Sequence, residues 1–326
     1  MAKTKEHDEV IACSPKHLEN DLLRDAATVA QQENPYNTPN HEHVARILPA
    51  GAPMQEFIAV MTTKYWRTNG VRLGVGFMDN PPNELRARIL QHMNAWGQSA
   101  NVQFAESTSD PAVRISRDQP GYWSYIGTDI LLIDRHQPTM NLQGFTMNTP
   151  DSEFYRVVRH ETGHTLGCPH EHMRAEVIAL IDEQKAIQFY GATQGWNEAQ
   201  VRAQVLTPLP ASSIWATTNP DRQSIMCYQI PGSITKNGIA IPGGLDIDPI
   251  DYDFMAKVYP KPAALTGGPA PANPGADLGA PAQVAASHHG GSCKGCIDVA
   301  LHSGTRLSVP PEATEAQLRM LLGALG

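Results

Sequence analysis

The eleven residues HETGHTLGCPH, positions 160 to 170, constrain this chain more than any other stretch. His160 and His164 are four residues apart, so on a helix both imidazoles project from one side, one turn apart. That separation suits two nitrogen ligands on one zinc ion, each about 2.0–2.1 Å from the metal. Gly167 lets the helix stop abruptly, because glycine adopts the left-handed conformation that helix C-termini often need. The turn that follows brings His170 back as a third ligand. Three protein ligands leave one coordination position for water, as catalytic rather than structural zinc sites do. Glu161, next to the first ligand, can reach that water without binding the metal.

The residues around the motif supply a scaffold. VRLGVGF (71–77), NVQFAE (101–106), PAVRIS (111–116) and TDILLID (128–134) are short apolar-rich runs bounded by turn residues, which is strand patterning. Between the first two, Leu85, Ile89, Met93 and Trp96 mark one helical face, closed by Gly97. Strand, helix and further strands predict a mixed sheet with a helix packed on it. The motif helix is expected to begin with Thr149 as cap and Pro150 at the first helical position. Near the start, Leu18, Leu22, Ala26 and Val29 have helical spacing. After Gly167 strong periodicity lapses until a closing helix that begins at Asp248 and Pro249 and carries Ile250, Phe254 and Val258.

Composition narrows the function classes. With 25 basic against 33 acidic residues the formal charge is -8, which argues against a nucleic-acid partner. No apolar run reaches the roughly 20 residues of a membrane helix, and the first residues never open into the apolar core of a secretory signal. The expectation is a cytoplasmic protein or one exported by a non-classical route. Five cysteines, at 13, 168, 227, 293 and 296, are too few for a disulfide scaffold. Four segments are expected: a lead-in or pro-like segment over 1–50, a catalytic domain over 51–260, an Ala/Pro/Gly-rich linker over 261–290, and a tail over 291–326 with a CxxC and an amphipathic helix. SHHGGSCKGC offers four zinc-type ligands, but at the spacing of no recognised module.

HETGHTLGCPH matches the zinc signature of the metzincin clan of metallopeptidases, and SIMCY (224–228) is similar to the clan's methionine turn, with Met226 beneath the histidines. Within the clan the chain most resembles the astacins. His170 is followed by Glu171, and Ser224, Met226 and Tyr228 fit the astacin turn. KYWRTNGVRLGVGF, GYWSYIG and LDIDPIDYDFMAKVY resemble other astacin segments, so the likeness covers about residues 55 to 260.

The resemblance implies an α+β metzincin-type domain: a twisted mixed sheet, two main helices over a cleft, and a less regular C-terminal subdomain. It implies a zinc-dependent endopeptidase acting on protein or peptide substrates, with one catalytic Zn2+ on His160, His164 and His170. Glu161 would be the general base acting on a zinc-activated water, and Tyr228 a zinc-side hydroxyl that stabilises the oxyanion. Substrate would lie along an edge strand, for which 128–134 is the candidate, and Arg222 or Lys236 would supply the basic charge of an acidic-preferring pocket. A zinc-binding protein without turnover, or a scaffold serving the C-terminal tail, is the alternative.

The chain also departs from the family. It lacks the secreted astacins' cysteines, and Cys168 and Cys227 replace an aromatic and a histidine near the zinc, where they are expected to pack as small apolar groups. No F-x-G-D inhibitory motif occurs in 1–50. Cys13 is a possible blocking thiolate there, although ACSPKH matches no recognised cysteine switch. Oligomeric state is not readable.

Overall fold

The computed structural model describes residues 13–14, 16–39, 62–209 and 220–262, and the backbone of two strands near the C-terminus. The chain divides into two compact units, Met1–Leu265 and Thr266–Gly326.

The first unit is built on a five-stranded sheet. Strand β1 (Val71–Phe77) buries Val71, Leu73 and Val75 on one face, the period of two expected of a half-covered strand. Helix α2 (Asn83–Met93) carries the chain to β2 (Val102–Glu106), which pairs parallel to β1. The predicted face is fully used across α2 and the 3-10 segment Asn94–Gln98 that follows it: Leu85, Ile89, Met93 and Trp96 are all at most 1% exposed. Strands β3 (Val113–Ser116), β4 (Tyr122–Ser124) and β5 (Met140–Leu142) complete the order β2-β1-β3-β5-β4. All pairings are parallel except that of β4, which closes one edge antiparallel to β5.

The run 128–134 is therefore not a strand. Gly127 has φ +50°, where an added Cβ would collide with the Lys64 carbonyl, and Gly127–Leu132 winds into a 3-10 turn. Asp129 is drawn inward to an ion pair with Lys64 at 3.3 Å, and Ile130 fills the core. The edge strand lies six residues earlier, at β4.

Among the helices, α1 (Leu23–Glu33) buries Ala26, Ala27 and Ala30, so its inner face is alanine rather than Leu22 and Val29. Asn37 ties it down, donating to the Ala30 and Tyr65 carbonyls, both at 2.8 Å. Helix α3 (151–165) is continuous: a first turn, a π segment at Phe154–Val158, and the motif turns Arg159–Thr165. Pro150 stands at its N-cap in extended conformation, one position earlier than expected, and Thr149 does not cap it. Helix α4 (Glu183–Gln194), which weak periodicity concealed, buries only Ala186 and Tyr190. Helix α5 (Pro249–Val258) starts with a reciprocal capping box between Asp248 and Asp251. It buries Met255 and Val258, while Ile250 turns outward at 48% exposed.

In the second unit, Ile297–Ala300 pairs antiparallel with Arg306–Val309, strands the sequence reading did not anticipate. The linker, the CxxC and the expected amphipathic tail helix lie outside the described residues. No helix among the described residues is long and apolar enough to cross a membrane.

Candidate active site

The C-terminal half of α3 sits over the methionine turn, and the contact is close enough to dictate residue size. A Cβ at Gly163 would lie well inside van der Waals contact with the Met226 sulfur, so any larger residue between His160 and His164 would have to displace the Met226 side chain. Met226 is 4% exposed, and its carbonyl accepts the Glu171 amide at 2.9 Å, fastening the turn to the chain just after His170. The end of α3 is pinned by donors from distant elements. Trp66 Nε1 reaches the Thr165 carbonyl at 2.8 Å, and the Tyr259 hydroxyl reaches that of Leu166 at 2.6 Å. Gly167, at φ +102°, then reverses the chain.

That reversal converges three imidazoles. Nε2 of His170 lies 3.1 Å from Nε2 of His160 and 3.0 Å from that of His164. Nδ1 of His160 donates to the Ile225 carbonyl at 2.6 Å, and Nδ1 of His164 to that of Cys168 at 2.7 Å. With those protons fixed on Nδ1, His160 and His164 turn their Nε2 lone pairs inward toward His170, whose own Nδ1 has no hydrogen-bond partner among the described residues. Burial lowers His160 to about 4 and holds His164 and His170 well below the ordinary imidazole value, so the rings are neutral. The spacing suits a shared cation, since two zinc bonds at tetrahedral geometry span about 3.3 Å between nitrogens. The donor set fits zinc, with backbone carbonyls orienting two rings from behind.

A fourth donor comes from far away in sequence. Cys13 Sγ lies 3.4 Å from His164 Nε2, and its sulfur and the three Nε2 atoms all fall within 4.8 Å of one another. Cys13 reaches this place as part of an added strand. Ser14 and Lys16 donate to the Tyr122 and Ser124 carbonyls, both at 3.0 Å, so the segment runs parallel to β4 on its open edge. The Tyr228 hydroxyl donates to the Cys13 carbonyl, and its ring stacks on His172 at 3.9 Å. Tyr228 thus holds the incoming segment, and His172, bonded to the Gln204 carbonyl at 2.9 Å, holds Tyr228.

Glu161 is 1% exposed, and neither carboxylate oxygen has a hydrogen-bond partner of good geometry among the described residues. Burial raises it to about 8, against smaller opposing effects of the Cys13 thiol and the Arg156 charge. A buried, unpartnered carboxylate is costly unless something passes through the site to use it.

Other expected residues are placed differently. Lys236 donates to the Ala179 carbonyl at 2.8 Å, and neither it nor Arg222 lines the cavity beside Glu161, where the cation is Arg156. Cys168 and Cys227 are buried free thiols, packed as expected. Glu171 is held by Arg174 at 3.0 Å and by the Asp221 amide at 3.1 Å. Asp251 was hidden behind its helix-capping role. It also accepts from the Ser224 hydroxyl at 2.6 Å and the Ile225 amide at 2.9 Å, anchoring the methionine turn.

Comparison with known proteins agrees with this arrangement. The family described as Astacin (Peptidase family M12A) matches residues 59–188. Zinc metalloproteinase nas-27 of Caenorhabditis elegans is 33% identical over 101 residues, 31% of this chain. That match spans only 22% of the nas-27 chain. The solved structure of myroilysin superposes with a TM-score of 0.58 at 30% identity, over 61% of this chain and 97% of that one. The chain belongs to the astacin family. Its α+β metzincin fold is the one expected, and its buried histidine cluster is able to bind the zinc that astacin-family metalloproteinases use. The family match ends before the methionine turn, so Met226 and Tyr228 of this astacin-family chain rest on geometry.

Proposed function

We propose that this astacin-family chain is a zinc-dependent endopeptidase, and that the segment around Cys13 holds it latent. The observation that carries the first part is the unpartnered Glu161 carboxylate buried beside three converging imidazoles. Zinc at the three imidazoles would act as a Lewis acid on the scissile carbonyl and make water nucleophilic near neutral pH. The chain does the rest. His160 and His164 keep their lone pairs inward because backbone carbonyls hold their Nδ1 protons. Glu161 takes a proton from the attacking water and returns it to the departing amine nitrogen. The open edge of β4 binds the peptide backbone by strand addition, and the Tyr228 hydroxyl, once free of Cys13, is available to the developing oxyanion.

The second part follows from occupancy. Cys13 supplies a fourth donor where a catalytic centre needs an open position, its segment fills the β4 edge, and its carbonyl engages Tyr228. Withdrawal of residues 13–16 releases all three at once. The test is cleavage of an unfolded protein by full-length chains. Cys13→Ala is expected to cleave faster than the unaltered chain. Cys13→Ala with Glu161→Gln is expected to lose about 10²–10⁴-fold in rate while retaining its zinc. Equal cleavage with and without Glu161 would refute the base assignment, and no gain from Cys13→Ala would refute latency.

A further inference from the structure

A cavity of about 550 Å³ opens directly beside the reacting groups and is lined in part by His160, Glu161 and Tyr228. Its other walls are mainly apolar. Phe189 and Tyr190 come from α4, Ile225 and Ile230 from the methionine turn and the chain just beyond it, and Ile241 and Pro242 from the bridged segment opposite. From β4 it takes Tyr122 alone, the N-terminal residue of that strand. A substrate peptide adding antiparallel to β4, the opposite sense to the Cys13 segment, would head toward Tyr122 as it proceeds to its own C-terminus. The cavity therefore lies on the side of the residue that follows the scissile bond.

Charge decides what enters. The cation on the wall is Arg156, and its guanidinium is already held in a bidentate pair with Glu153 at 2.9 and 2.7 Å. The Tyr190 hydroxyl, on a side chain 3% exposed, has no partner among the described residues, but it is neutral. A substrate carboxylate would lose its hydration against isoleucine, proline and aromatic carbon, meeting in return a compensated cation and the neutral groups of Tyr190, Thr193, Gln194 and Gln229, none of which replaces a full counter-charge. A large apolar side chain would instead bury most of its surface. We infer that this cavity selects a large apolar or aromatic residue immediately after the cleaved bond and rejects acidic ones. The inference rests on the proposed peptidase reading.

The experiment digests a mixed peptide library with the full-length Cys13→Ala chain and reads the residues flanking each cut. Leu, Phe, Met and Tyr are expected after the bond at about tenfold or more over Asp and Glu. A second variant adds Ala192→Arg, an exposed α4 position on the cavity rim. It places an unpaired cation there and is expected to move Asp and Glu from depleted to enriched. Cuts enriched in acidic residues before Ala192 is changed would assign the pocket to Arg156 and overturn the inference. Apolar selection only before the bond, or a preference indifferent to Ala192→Arg, would overturn it too. Absence of any cleavage by zinc-loaded protein would instead remove the peptidase reading itself.

Discussion

Gly163 is the tightest point of the site. Helix propensity alone favours alanine there by about 1 kcal/mol. The Met226 sulfur occupies the space a Cβ needs, with Trp96 closing the same side. Overpacking of a filled core costs about 1–3 kcal/mol, so the steric effect wins. Gly163→Ala is expected to lower unfolding stability in denaturant titration and to weaken zinc retention, because His160 and His164 flank the displaced turn; a stabilised variant would show that Met226 yields freely. At this scale the site was largely legible. His160, Glu161, His164 and His170 fall within eleven residues, so helix geometry and one glycine turn fix their mutual placement. Cys13 entered the sequence reading only as a candidate blocking thiolate, since nothing local to ACSPKH shows that 151 residues of chain fold back to bring it against His164.

Elements set the environment of those residues. The methionine turn hangs from the first turn of α5 through Asp251, which accepts from Ser224, Ile225 and Asp248. Burial outweighs these donors and raises the Asp251 carboxyl from 3.8 to about 7. A carboxyl raised on folding takes up a proton as the chain folds between those values. Its contribution is therefore full below 3.8 and is lost as pH rises through about 7. Asp251→Asn, which cannot titrate, is expected to flatten the fall in stability across that window, as followed by thermal unfolding at several pH values; an unchanged profile would exclude Asp251 as its source. Strong periodicity made β1 and α2 readable. The run 128–134 misled because Gly127 and the buried Lys64–Asp129 pair bend an apolar stretch that alternation would otherwise extend. Helix α4 went unseen because it rests on only Ala186 and Tyr190, yet it forms a wall of the selective cavity.

At the scale of the whole first unit, four remote stretches meet on one point: the segment from Cys13, the open edge of β4, the turn ending α3, and the methionine turn held by α5. Their common product is a buried set of three neutral imidazoles and one thiol, a donor set that suits zinc. Zinc-edge X-ray absorption on the full-length, zinc-loaded protein tests this most directly. The arrangement predicts about one zinc per chain with imidazole nitrogens and a single sulfur in its shell, and loss of the sulfur alone in Cys13→Ala. A shell lacking imidazole, or one unchanged by removal of Cys13, would contradict it.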